Sequence, residues 1–330
     1  MLEFLRELCA LPGTSGREDA VRGHITAALA GAGVPYEVDA LGNVLVRRAG
    51  GRKIALFAHM DEVGYLVRHI TPDGFLRVAA VGGIDPAAAL GARGQVGERV
   101  GVFGVKPVHL LDADAKEKVP QEDALYLDIG ATSRADAAER VQLGDAVTFA
   151  RSWTQAGTRV LSPALDDRAG CAVLLDLLLH TDLPVDAAFT VQEEVGTRGA
   201  ATAAYALAPK VALVLECTTA ADLPSVPEGK KVCHLGDGAV LSFMDNGTIY
   251  DKELFALAQR VAAEQGIPAQ VKTLVAGGND AAAVHKSRAG VRTLALSVPC
   301  RYLHAPLGQI DLDDLTAVRN LTAAVVQALL

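Results

Sequence analysis

DAAFTVQEEVGTRGA (residues 186–200) passes from an apolar run into two adjacent acids, Glu193 and Glu194, and then into glycine. A short apolar run bounded by charge and glycine reads as a buried strand. Packing supplies no reason to end such a strand on two negative charges. The arrangement recurs along the chain: KIALFA (53–58) runs into His59, Met60, Asp61 and Glu62, VALVL (211–215) runs into Glu216, and TLALSV (293–298) is followed shortly by Arg301 and His304. Helical stretches such as EDAVRGHITAALAGAG (18–33) and DDRAGCAVLLDLLLH (166–180) lie between the runs. This alternation predicts an α/β fold with a mostly parallel sheet sandwiched by helices. The carboxyl ends of the strands in such a sheet share one edge, where ligands bind. Side chains as far apart in sequence as His59 and His304 are therefore expected in one crevice.

The texture changes between residues 63 and 157. VGYLVRHI, DGFLRVAAV, GVFGVKPVHLL, ALYLDIG and DAVTFA are short runs with glycine at nearly every junction, and only SRADAAERVQ (133–142) looks helical. Short strands with turn signals predict a small β-barrel-like domain. It is inserted into a larger domain made of residues 1–62 and 158–330. The chain closes on an amphipathic helix with a stripe at Leu312, Leu315, Val318, Leu321 and Val325, capped by Asp311.

Composition narrows the function. Half of the 330 residues are apolar and 21% are charged, enough for a sizeable core. The net charge of -8 and the absence of clustered Lys and Arg argue against a nucleic-acid partner or an anionic membrane. No run of about 18 apolar residues marks a membrane span. MLEFLRELCALPG lacks the unbroken apolar core of a secretory signal. Five scattered cysteines without a CxxC pair read as reduced thiols, and a cytoplasmic location follows.

His and carboxylate drawn from separate strand ends suit a borderline divalent ion such as zinc. SPALDDRAG (162–170) adds Asp166 and Asp167 at the start of a helix, where either could simply be a cap. Asp166 is the best candidate to bridge two ions. Asp61, two residues after His59 in an extended segment, would hold the second ring nitrogen of His59. Neighbours in an extended segment point oppositely, so Glu194 reads as a metal ligand and Glu193 as the general base facing water and substrate. The remaining histidines, 24, 69, 109, 180, 234 and 285, read as surface or satisfied core. The GGND turn (277–280) reads as rim, with Asp280 close to the site.

AHMDEVG, ALDDRAG, VQEEVGTRGA, GGNDA and VPCRYLHAP resemble, in the same order, the motifs of the M42 metallo-aminopeptidases, a family of glutamyl and tetrahedral aminopeptidases. PGTSGRE and LDIGATSRADA extend the resemblance over nearly the whole chain. It implies a co-catalytic di-metal exopeptidase acting on the N-termini of peptides, with two divalent ions per subunit, zinc first and cobalt or manganese as alternatives. His59, Asp166 and Glu216 would hold one ion, and Asp166, Glu194 and His304 the other. Glu193 would take a proton from a water between them. The resemblance also implies dimers assembling into a dodecamer through the β-rich insert. Glu216 stands where many relatives carry Asp, and Asn279 and Cys300 where Thr is common.

Three other readings use parts of the same pattern. A carboxypeptidase or amidohydrolase of related fold shares the order of ligands, but the insert between His59 and Asp166 separates them. A glycoside hydrolase needs only two carboxylates and leaves the histidines idle; one Trp and 5% aromatic residues offer little sugar-stacking surface. A structural zinc protein would be expected to use cysteine ligands, and this set has none.

Overall fold

A computed structural model of the protein describes residues 1–50, 53–112 and 118–330. The chain opens with helices α1 (Leu2–Cys9) and α2 (Asp19–Gly31) and strands β1 (Glu37–Val38), β2 (Val44–Val46) and β3 (Ile54–His59). It then builds β4 (Gly64–Ile70), β5 (Leu76–Val81), β6 (Arg93–Val96), β7 (Arg99–Gly104), β8 (Tyr126–Asp128) and β9 (Ala146–Phe149). After β10 (Thr154–Ala156), β11 (Arg159–Ser162) and α3 (Leu165–His180) come β12 (Asp186–Thr190), α4 (Arg198–Leu207) and β13 (Val211–Thr219). The last elements are β14 (Ala239–Leu241), α5 (Lys252–Gln265), β15 (Ala269–Val271), β16 (Arg292–Cys300), β17 (Gly308–Asp311) and α6 (Leu312–Leu329).

Among the described residues, eight strands form the main sheet in the order β1-β2-β12-β3-β13-β16-β14-β15. Its centre, β12-β3-β13-β16, is parallel, while β1, β2 and β14 bring antiparallel pairings at the flanks. The sheet is thus mixed around the parallel core that the alternating runs predict. Every residue of β3 is buried, as expected for a strand covered on both faces. α3 is buried along nearly its whole length and packs on α1, β3 and β13, which explains its lack of a polar stripe. α6 buries Leu315, Val318, Leu321 and Val325, and the Asp311 side chain caps it by accepting from the Asp313 amide.

One expectation needs revision. Glu216 does not follow its strand but lies within it, because β13 continues to Thr219. Pairing with β16 extends to Thr219 opposite Cys300, and the β-branched Thr218 and Thr219 suit a strand although they are polar.

The insert closes into a six-stranded barrel ordered β4-β5-β8-β7-β6-β9. Its core centres on Tyr65, Phe103 and Phe149, with the rings of Tyr65 and Phe103 4.9 Å apart. The helix expected over 133–142 is only Arg134–Ala138, capped by the Ser133 side chain. β10 pairs with β11, which pairs with β17, so residues 154–156 hydrogen-bond into the larger lobe and not into the barrel. The entry to and exit from the barrel are clipped together. The Glu62 carboxylate accepts from Arg151 at 2.7 Å, from the fully buried Arg168 at 3.2 Å and from the Gly13 amide at 2.9 Å.

Candidate active site

The edge formed by the ends of the parallel strands carries the predicted residues. β3 ends on His59, the loop after β12 carries Glu193 and Glu194, β13 contributes Glu216, and the segment after β16 contributes His304. Asp166 enters from the first residues of α3. His59, Asp166, Glu193, Glu194, Glu216 and His304 all line one cavity of about 170 Å³.

The two imidazoles are held in the same manner. His59 donates its Nδ1 hydrogen to the Asp61 carbonyl at 3.1 Å, and His304 donates its own to the Gly83 carbonyl at 2.8 Å. In the neutral ring this leaves each Nε2 as the acceptor that a cation needs. His59 Nε2 lies 3.5 Å from Asp166 Oδ1 and 3.3 Å from Glu216 Oε1. His304 Nε2 lies 3.4 Å from Asp166 Oδ2 and 3.3 Å from Glu194 Oε2. Asp166 thus turns one oxygen to each histidine. Two ligands at about 2.0–2.1 Å from a tetrahedral ion lie about 3.3–3.4 Å apart, so these separations fit two cation sites sharing Asp166.

The polar bookkeeping points the same way. Asp166 Oδ1 and Glu194 Oε1 are buried and have no hydrogen-bond partner among the described residues. Buried carboxylate oxygens are ordinarily satisfied, and a bound cation would satisfy these. The acids also outnumber the imidazoles. Burial, then the negative charges of Glu216, Asp280 and Glu194, push Glu193 up to about 10. Burial likewise raises Glu194 and Glu216. Burial works against a charge on His304, yet Asp166 and Glu194 outweigh it and push the imidazolium up to about 11. A pocket so rich in unbalanced negative charge is chemically matched to divalent cations.

One local expectation is corrected and another is extended. Glu193 and Glu194 do not sit on an extended strand end: β12 stops at Thr190, Gln192 takes a positive φ of 56°, and the Glu193 carbonyl accepts from the amides of Gly196 and Thr197. Their divided orientation comes from this turn and not from strand pleat. Asp61 lies at the second ring nitrogen of His59 and has a further duty. Its carboxylate oxygen is 3.5 Å from His59 Nδ1, whereas the closer partners are the Glu193 amide at 2.9 Å, the Glu194 amide at 3.1 Å and the Ser15 hydroxyl at 2.6 Å. Asp61 therefore steadies His59 through its backbone carbonyl and the acidic turn through its carboxylate.

Asp167 takes the helix-capping role. Its Oδ1 accepts from the Gly170 amide at 2.8 Å, and it stays near His59 and Glu216, where burial and the neighbouring acids raise it well above the ordinary carboxylate range. Asp280 reaches the rear of the site, accepting from the Thr190 hydroxyl, and burial pushes it up to about 6. Gly277, Gly278 and Asn279 line the cavity, as the rim reading predicts. None of the other six histidines lines this cavity. The sequence reading passed over Ser15 and Glu62, whose partners lie tens of residues away and leave no local pattern, and Lys272, an ordinary lysine until the fold buries it in the cavity wall.

Comparison with known proteins follows the same lines. Residues 42–321 match the family model described as M42 glutamyl aminopeptidase. The chain is 34% identical over 342 residues to a lysyl aminopeptidase of Pyrococcus furiosus, covering 99% of this chain and 96% of the relative. A TET aminopeptidase from a marine sediment archaeon of the Thaumarchaeota superposes with a TM-score of 0.94 at 30% identity, over 100% of this chain and 98% of that one. The TET1 peptidase of Pyrococcus horikoshii, which can assemble into a tetrahedron or a large octahedral shell, superposes with a TM-score of 0.87 at 34% identity, over 98% of both chains.

Proposed function

The chain belongs to the M42 glutamyl aminopeptidase family and is a peptide-bond hydrolase, and on that ground we propose that it removes N-terminal residues from peptides with the help of two divalent cations. His59, Asp166 and Glu216 would hold one cation, and Asp166, Glu194 and His304 the other, with zinc the first choice and cobalt or manganese as alternatives. The observation that carries this reading is the matched pair of imidazoles, each with Nδ1 tied to a backbone carbonyl and Nε2 turned to a different oxygen of Asp166. When bound, divalent cations there supply Lewis acidity toward a peptide carbonyl and acidify water.

The protein's own part is positional. Glu193 lines the cavity and is not among the acids paired with His59 Nε2 or His304 Nε2, which leaves its carboxylate to accept the proton of the attacking water. The same oxygen then returns that proton to the leaving amine nitrogen. Asp61 holds the backbone of both glutamates, so base and ligand keep a fixed spacing. The acidic lining complements a free α-ammonium group, which favours substrates with an unblocked N-terminus over acylated ones.

We further propose a homo-oligomer built on the pattern of the P. horikoshii relative and a cytoplasmic location, which the five free, buried cysteines suit. Among the described residues, no helix is long and apolar enough to cross a membrane.

A panel of aminoacyl-nitroanilides beside an N-acetylated counterpart, assayed with zinc, cobalt and manganese, tests the activity. Cleavage of the free-amine substrates is expected; preference for the blocked one would overturn the aminopeptidase reading in favour of a deacylase.

A further inference from the structure

Among the described residues, no hydrogen bond or ion pair holds the Glu193 carboxylate, so its place is set through its main chain. That main chain is pinned by side chains. Four consecutive amides each donate to one: Val191 to Asn43 Oδ1 at 3.0 Å, Gln192 to Glu18 Oε1 at 3.2 Å, Glu193 to Asp61 Oδ1 at 2.9 Å and Glu194 to Asp61 Oδ2 at 3.1 Å. The three acceptor residues are all buried. The catalytic reading gives Asp61 a role and leaves Glu18 without one.

Glu18 closes the stretch PGTSGRE (12–18) and stands at the head of α2, yet its side chain does not cap that helix. Its Oε1 instead accepts from two amides at once, Gly16 at 2.7 Å and Gln192 at 3.2 Å. Burial lifts the Glu18 carboxyl above its ordinary range against the pull of the Gly16 amide, and the charge of Asp61 adds to the lift. A buried acid beside another acid is an expensive way to satisfy one amide. The residue it holds is a special one. Gln192 has a φ of 56°, a conformation that a residue other than glycine keeps only where its surroundings over-determine it. Gln192 immediately precedes Glu193, so a change in its backbone angles swings the Glu193 carboxylate.

We propose that Glu18 is a positioning residue: it locks the backbone of Gln192 and thereby aims the carboxylate of Glu193 at the attacking water. This rests on Glu193 being the general base and adds the residue through which that base is aimed. Asp61 fixes the amides of both glutamates and so holds base and ligand alike. Glu18 reaches only the residue before them. Loss of the Glu18 carboxylate therefore misplaces the base, while Glu194 stays tied to Asp61 and the cations stay bound.

The competing explanation is that Glu18 only fastens the 13–18 loop to the lobe. Steady-state kinetics on the best-cleaved aminoacyl-nitroanilide, with metal analysis of the full metal-loaded chain, separate the two. Glu18→Ala should lower kcat about 10–100-fold, as for a base displaced by about 1 Å, with KM within about twofold and metal content at the wild-type level. Glu18→Gln keeps an acceptor for the Gln192 amide and should recover most of that loss; Glu18→Asp, one methylene shorter, should not. Should Glu18→Ala fail to fold, equal kcat in the Gln and Asp variants would defeat the proposal by itself. The deciding measurement is a double variant. If Glu18 acts through Glu193, then Glu18→Ala has no further effect in a Glu193→Gln background, whereas a merely loosened loop would multiply the two losses. Unchanged kcat in Glu18→Ala, a loss that tracks metal content, or multiplying losses overturns the assignment. Wild-type turnover in Glu193→Gln alone would be a different failure, since it removes the base reading and the role of Glu18 along with it.

Discussion

Glu193 and Glu194 are adjacent in sequence and, in the proposed mechanism, divided in duty. Glu194 faces His304, whereas Glu193 has no ion pair with either imidazole of the site, and burial and neighbouring acids push its carboxyl up to about 10. Glu193→Gln keeps the side-chain volume and removes the base, so turnover should fall by about 10²–10⁴-fold while the metal content found by elemental analysis stays at the wild-type level. Loss of metal with turnover intact would reverse the roles of the two acids. His59, Glu193, Glu194, Glu216 and His304 were all readable in the sequence because each stands within or shortly after an apolar run, where a polar side chain has no packing purpose. A further duty of the Asp61 carboxylate left no mark in the sequence for a physical reason. Its partners are the amides of Glu193 and Glu194, more than a hundred residues downstream, and only the folded turn reveals them.

Local rules located the elements well where one interaction dominates and failed where two compete. The closing helix α6 has its stripe and its Asp311 cap as written in the sequence. β13 outruns its apolar segment because the ladder to β16 continues to Thr219 and the β-branched Thr218 and Thr219 favour it despite their polarity. The start of α3 departs from helical geometry at Asp166 and Asp167, so the latter caps the helix while the former is released to the site. A cap of the simpler kind begins α5: Asp251 accepts from the amides of Glu253 and Leu254 and is paired with Arg292 at 2.8 Å. The Arg292 guanidinium, aided by those amides, holds Asp251 down at about 2 against an ordinary value of 3.8. A depressed folded-state value means that the stabilisation is complete above about pH 4 and disappears as pH falls toward 2. Asp251→Asn preserves the cap and removes the ion pair. It should cost about 1 kcal/mol near pH 6, allowing for solvent screening of the partly exposed Arg292, and nothing by pH 2, as measured by denaturant unfolding across that range. A cost independent of pH would refute the ion-pair account.

For the whole protein, the acidic crevice makes cation binding and folding one equilibrium. A cation present at a hundredfold excess over its dissociation constant adds about 2.7 kcal/mol to the stability of the folded state. Dialysis against a chelator should therefore lower the calorimetric melting temperature and abolish peptide cleavage, and zinc, cobalt or manganese should restore both. Unchanged melting and activity after complete metal removal would exclude the two-cation site. A second test addresses the contact between lobe and barrel. Gly82 has a φ of +81°, and a Cβ there would lie 2.8 Å from Val63 Cγ1 and 3.2 Å from Glu194 Cβ. Gly82→Ala should destabilise the protein by about 1–3 kcal/mol and weaken metal retention about tenfold; a melting curve and a dialysis series would show both, and wild-type behaviour in each would argue against the contact. The carbonyl of the next residue, Gly83, accepts from His304 Nδ1, so the insert supplies an anchoring point for the ring of His304 in the crevice. Exchanging inserts between relatives is then an exchange of crevice parts: a grafted barrel would have to bring its own glycine turn in register, or the recipient would be left with an imidazole free to swivel out of the cavity.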